Sequence, residues 1–164
     1  MTDYQLQDKI ELRLSDGLTA FSDVKADDII IAGMGGLLIA EILSKANWIK
    51  IPDIRLILQP MTHAEDVRQY LIQNGFELLE EDAVLEEKCP YMVMVAHYTG
   101  NIKKYTDDFI YTGLLKNSEN PAAKAYIKKQ YDRLKKKADA LQSVSNFEEA
   151  EKIYKLIEKF GGRD

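Results

Sequence analysis

The chain holds 164 residues, 46% of them hydrophobic and 30% charged, with a formal net charge of −5. Such a composition supports one packed domain, with or without an appendage, and excludes a collagen, a disordered tail or a mini-protein. The single cysteine, Cys89, cannot form an internal disulfide, the polar start Met1–Gln5 does not read as an export signal, and no apolar run nears the roughly 20 residues of a membrane span, so a cytoplasmic protein with no membrane partner is expected.

In chain order, Lys9–Leu14 alternates charged and apolar residues and predicts a half-covered strand, broken by Ser15-Asp16-Gly17. Leu18–Val24 has room for a short helix or a turn. Asp28–Ala32 is a β-branched run ending at glycines, the pattern of a strand buried on both faces of a parallel sheet. Gly36–Asn47 reads as a helix apolar nearly all round. Ile54–Leu58 is a second buried strand, closed by Gln59-Pro60. Ala64–Asn74 is amphipathic, and Gly75 stands where a helix C-cap belongs. Phe76–Leu85 and Tyr91–Tyr98 are two strands separated by only a few residues around Lys88-Cys89-Pro90, which predicts an antiparallel hairpin. The class is α/β, a sheet with one reversed strand.

The pattern changes near residue 115, where a boundary between a sheet domain (1–115) and a helical unit (116–164) is expected. Residues 1–115 hold 10 Lys/Arg against 19 Asp/Glu, and residues 116–164 hold 12 against 8. An acidic body with a basic tail hints at a polyanionic partner, although a solvated helix pair gives the same charges. Asn120-Pro121 is a helix start, with Asn as N-cap and Pro at the first helical position. Ile127, Tyr131, Leu134, Ala138 and Leu141 then recur in a heptad-like seam. Asn146 and Glu149 resemble a capping box, Phe147, Ala150, Tyr154 and Ile157 repeat at helical spacing, and Gly161-Gly162 ends the second helix. The two helices form an antiparallel hairpin, either a short coiled coil or a pair packed on the sheet.

The strongest local signal is Ile31-Ala32-Gly33-Met34-Gly35-Gly36. Glycines between a buried strand and a helix put bare backbone at the strand's C-terminal edge, where open parallel sheets bind ligands. A plain strand-to-helix turn is the alternative. A nicotinamide fingerprint fits poorly, because Leu38 replaces the third glycine, and no Gly-Lys-Ser/Thr follows for a P-loop. Asp16 either accepts hydrogen bonds from a ligand's amino group or simply holds its turn. Gln59-Pro60-Met61-Thr62-His63 ends another strand, so three loops are expected to meet at one rim. No His/Cys/Asp grouping has metal-ligand spacing, and no catalytic triad order occurs.

Read together, Asp16-Gly17-Leu18, Ile31–Gly36, Leu56-Ile57-Leu58-Gln59-Pro60 with His63, Arg68 with Tyr70-Leu71, and the Leu85–Tyr91 hairpin resemble the TrmK family, bacterial tRNA (adenine(22)-N(1))-methyltransferases that use S-adenosylmethionine. The resemblance runs from about Ile10 to Ala96 and weakens through the helical tail. It implies a Rossmann-like methyltransferase sheet followed by an α-helical hairpin. It also implies a cofactor wall at Asp16, Gly17, Leu18, Ala32, Gly33 and Met34. By the same resemblance, the reacting groups meet beside Gly33, Met34, Gly35, Gly36, Gln59, Pro60 and His63, and the tRNA is gripped by Lys124, Lys128, Lys129, Arg133, Lys135, Lys136 and Lys137.

The family begins with a strand bearing an Asp-x-Gly-Ser-Asp-His type motif and a second strand ending in an acidic residue, and neither occurs here. The chain therefore resembles the C-terminal two-thirds of the enzyme, an incomplete sheet that lacks two strands and, with them, activity. The edge at Ile29–Ile31 is then expected to be covered by Lys9–Leu14 or by a second copy. A non-catalytic RNA-binding or interaction module is the rival reading.

Overall fold

The computed structural model describes residues 9–160. Four strands form one sheet: β1 (Asp28–Gly35), β2 (Arg55–Thr62), β3 (Phe76–Glu86) and β4 (Cys89–Tyr98). Their order is β1-β2-β4-β3. β1 and β2 run parallel with Ile30 opposite Ile57, and β4 is antiparallel to both β2 and β3. One strand is thus reversed, as the hairpin predicted. The helices are α1 (Gly36–Ser44), α2 (Ala64–Gln73), α3 (Asp107–Thr112), α4 (Pro121–Ser143) and α5 (Phe147–Ile157).

The helices share one core with one face of the sheet. Ile29, Ile31, Leu56, Leu58, Met92 and Met94 are buried together with Ile39 and Leu43 of α1, Val67 and Leu71 of α2, and Ala123, Tyr126 and Ile127 of α4. The helical hairpin therefore packs on the sheet through the first half of α4. Asn120 caps α4 as expected, its side chain accepting from the Ala122 N–H at 2.9 Å, and Pro121 starts the helix. The seam continues through Leu134 and Ala138, buried with Ile153 and Ile157 of α5.

Several expectations are corrected. Lys9–Leu14 is not a strand: Leu12 and Leu14 are exposed, and Arg13 pairs with the exposed carboxylates of Glu11 and Asp23. An alternating segment becomes a strand only where an edge pairs with it, and this one lies apart from the sheet. The β1 edge is accordingly unpaired among the described residues. β1 is also not buried on both faces. Ile30 is 68% exposed, and Ile57, Val93 and Val95 on the same face are partly exposed, because the helices sit on the other side. β2 does not stop before Gln59-Pro60 but runs on to Thr62, where register shifts opposite Met34 tolerate a proline that cannot donate. The Asn146 side chain makes no cap bond, so the capping box is not formed, and α5 buries Ile153 beside the expected Ala150 and Ile157, while Phe147, which the helical repeat includes, is exposed. The Gly161-Gly162 stop lies outside the described residues.

Candidate functional site

The C-terminal ends of β1 and β2 are fused into one rim. Gly33 has φ +79°, a conformation that favours glycine, and its N–H donates to Gln59 Oε1 at 2.8 Å. A side chain at Gly33 would meet nothing within 4 Å, so its backbone lies open to an approaching molecule. Gly36 serves a different purpose. A Cβ there would overlap the backbone carbonyl of His63, so the absence of a side chain lets the start of α1 touch the Thr62–His63 turn directly. Gly35 packs against Thr62.

His63 itself is left-handed, with φ 54°, at the N-cap of α2. Its ring is half exposed, and Nδ1 lies 3.3 Å from Asp66 Oδ2. Arg133 of α4 reaches across to Glu65 Oε1 at 2.7 Å and donates to Gln130 Oε1 at 2.8 Å. His63, Glu65 and Asp66 bring three ligand-type atoms within 4.8 Å of one another, but Glu65 is already neutralised by Arg133. Between this turn and α4 lies an open cleft of about 210 Å³, walled by Pro60–Ala64, the start of β4 at Pro90–Met92, and Tyr126, Lys129, Gln130 and Arg133.

Not every expected residue arrives at this rim. Asp16 Oδ2 accepts from Lys45 Nζ at 3.3 Å, Gly17 packs on Ile42, and the Leu18 carbonyl accepts from Trp48 Nε1 at 3.3 Å. All three partners lie in the last turn of α1 or beyond it, and α1 is a helix of about 13 Å that begins at the glycines. The structure therefore brings Ala32–Gly36, Gln59, Pro60 and His63 together and sets Asp16–Leu18 apart from them.

The cations of α4 also divide. Lys124 pairs with Glu119 at 2.6 Å, Lys128 with Asp132 at 3.0 Å and Lys135 with Asp139 at 3.7 Å. Lys129, Lys136 and Lys137 have no ion-pair partner among the described residues.

The sequence pattern missed the brace beneath the site. Arg68 is fully buried; its Nε donates to Glu81 Oε1 at 2.7 Å and its Nη1 to the carbonyls of Ile110 and Tyr111 at 3.0 and 3.1 Å. Burial works against its charge, but the Glu81 carboxylate holds the guanidinium protonated, above its ordinary value. The Tyr126 ring stacks 5.9 Å from the Arg68 carbon, and burial pushes its phenol up despite the nearby cation. Gly113 makes room for Glu81, since a Cβ there would overlap the carboxylate. The brace ties α2, β3, the α3 segment and α4 together, and so fixes the helix that walls the cleft.

The sequence profile described as TrmK, tRNA (adenine(22)-N(1))-methyltransferase, matches residues 1–162. The chain belongs to the TrmK family. It is 39% identical over 112 residues to the tRNA (adenine(22)-N(1))-methyltransferase of Bacillus subtilis, a match covering 67% of this chain and 46% of that enzyme. A putative tRNA methyltransferase of Mycoplasma genitalium matches at 26% over 113 residues, covering 67% of this chain and 50% of that one. The matches thus span about half the length of these curated relatives.

The crystal structure of the Bacillus subtilis TrmK superposes with a TM-score of 0.82 at 25% identity, covering 97% of this chain and 73% of that one. That of Streptococcus pneumoniae Sp1610, a putative tRNA (m1A22) methyltransferase in complex with S-adenosyl-L-methionine, does so with a TM-score of 0.71 at 28% identity, covering 94% and 72%. The part of those folds that this chain covers is an α/β unit, a four-stranded mixed sheet with helices. No helix among the described residues is long and apolar enough to cross a membrane.

Proposed function

We propose that this chain carries the glycine rim and the RNA-contacting helix of an S-adenosylmethionine-dependent tRNA adenine-N1 methyltransferase. The observation that carries the reading is the Gly33 N–H to Gln59 Oε1 bond, which joins two strand ends into one open floor beside the cleft under α4. When bound, S-adenosylmethionine supplies an electrophilic methyl group on a sulfonium. The residues present fit one side of it: Ala32–Gly36 offer bare backbone with open space above Gly33. The adenine-side residues Asp16–Leu18 do not face that floor.

Adenine N1 would take the methyl group with its lone pair as the S–CH3 bond breaks and a neutral thioether leaves, which needs no base, so the chain's task is positioning. Gln59 holds Gly33 in its left-handed turn, Gly36 keeps the Pro60–His63 turn against the floor, and the Asp66 carboxylate beside His63 is the acidic group at the turn left to favour a base that becomes cationic, Glu65 being paired with Arg133. N1 lies on the Watson–Crick edge, so the target base must enter unpaired. Lys129, Lys136 and Lys137 offer contacts for its backbone. With the floor but no opposite wall among the described residues, the chain on this reading binds tRNA and does not turn over on its own. The apolar row Ile30–Ile57–Val95, beside an unpaired edge, favours association of copies.

The test is methyl incorporation from labelled S-adenosylmethionine into a tRNA transcript, with calorimetry of the cofactor. This chain is expected to give neither turnover nor micromolar cofactor binding. A chain extended upstream with the first two strands of the Bacillus subtilis enzyme is expected to give both. An extended chain that releases no heat with the cofactor, yet binds tRNA, would establish the non-catalytic RNA-binding module instead.

A further inference from the structure

The basic run of α4 is not one surface. At 3.6 residues per turn, Lys124, Lys128 and Lys135 lie on one flank of the buried stripe, and Lys129, Arg133, Lys136 and Lys137 on the other, about 145° away. The first flank is neutralised by its own neighbours, Glu119, Asp132 and Asp139. The second keeps three lysines without ion-pair partners among the described residues, and its arginine is engaged by Glu65 in the first turn of α2. The two flanks also face different surroundings. Lys129 and Arg133 wall the cleft beside Pro60–Ala64, whereas Lys124 and Lys128 line a broad groove against the Leu115–Glu119 segment and the end of α5.

Resting on the reading above, we propose that the RNA backbone runs along the Lys129–Lys136–Lys137 flank alone, and that a phosphate flanking the target nucleotide enters the cleft at Lys129. The opposite flank is a structural surface of the helix. Three features carry this. A lysine with no partner gains a phosphate without breaking an existing ion pair, whereas Lys124 or Lys128 must first leave its carboxylate. Lys129 shares its cleft with Pro60 and His63, so a nucleotide whose base reaches the rim has its backbone within that cleft. Tyr91, partly exposed on the opposite wall, supplies an aromatic face on which an unstacked neighbouring base can lie. Arg133 is here a positioning residue: its pair with Glu65 fixes α4 over the turn and keeps that carboxylate from repelling the phosphate.

Fluorescence anisotropy of a labelled tRNA, titrated with the chain across a salt series, tests the assignment. The double variant Lys129→Ala/Lys136→Ala is expected to weaken binding about tenfold or more and to reduce the salt slope by about two, one for each phosphate that a lysine no longer neutralises. Lys124→Ala/Lys128→Ala is expected to stay within about twofold, with an unchanged slope. Tyr91→Leu is expected to weaken binding while leaving the slope alone, because stacking releases no counterions. All three variants replace only partly or fully exposed side chains, and circular dichroism checks that each is folded. Equal losses from both lysine pairs, or a larger loss from Lys124/Lys128, overturn the flank assignment and leave the RNA reading standing. Absence of tRNA binding by the unsubstituted chain removes both.

Discussion

The two faces of the sheet are built from similar residues and meet opposite fates. On one, Ile29, Ile31, Leu56, Leu58 and Met94 are sealed beneath α1, α2 and α4. On the other, Ile30, Ile57 and Val95 stand in register across three strands with no helix above them among the described residues, and Ile30 is 68% exposed. β-Branched strands of this composition ordinarily have both faces covered. The comparison teaches that the site is held from the covered side. The rim, the cleft and the α4 flank all depend on helices packed there, and the bare face contributes only the edge at which the sheet stops.

The largest expected effect lies in the brace on the covered side. Arg68→Met leaves Glu81 buried without its cation, and breaking one partner of a buried pair costs about 3–5 kcal/mol. The urea midpoint should fall accordingly. Arg68→Met/Glu81→Leu should recover most of the loss, since an apolar pair of similar volume is often neutral. A single variant that unfolds at the parent midpoint would show that the brace does not hold the layer together.

The bare face predicts the opposite. Ile30→Lys removes little buried area, so the stability measured by urea unfolding should move by no more than about 0.5 kcal/mol. What should change is association: a lysine beside an unpaired strand edge discourages pairing with another chain. Sedimentation velocity at micromolar concentration should show larger species for the parent and a monomer for the variant. A monomeric parent would mean that the apolar row is tolerated in water.

The order of elements was legible because it rests on local signals. The glycines after Ile31, the Gly75 cap, the hairpin around Lys88 and the Asn120-Pro121 start each act within a few residues. What was hidden depends on contacts between distant segments. A bulge between Leu78 and Glu80 shifts the alternation of β3 by one, which turns Glu81 rather than Glu80 inward to Arg68. Strict period two would have placed the wrong glutamate in the core. Lys9–Leu14 alternates perfectly and still forms no strand, because alternation specifies a face and not a partner. The rim was half legible for the same reason. Gly33 and Gln59 follow neighbouring parallel strands and meet, whereas Asp16 was placed at the rim only on the assumption that a strand preceded it. The single basic run of α4 became two flanks once helical geometry and ion pairing were both known.

The smallest expected effect again separates the two sides, through pH. Asp108, in the first turn of α3, is buried, and burial works to raise its carboxyl, but hydrogen bonds from Lys116, at 2.7 Å, and Thr106 outweigh it and hold it below the ordinary 3.8. The Asp28 carboxyl at the bare edge is also held down, by Arg55, but that pair is in solvent. A carboxyl depressed in the folded state contributes stability that is fully present above its unfolded value and is lost as the pH falls through the folded one. Asp108→Asn should therefore lie below the parent in urea midpoint at pH 6, and the gap should narrow as the pH is taken from about 4 towards 3. Asp28→Asn should open a smaller gap at pH 6, because solvent screens what the covered layer does not. Equal gaps for the two variants would mean that the burial of Asp108 adds nothing to the Lys116 pair.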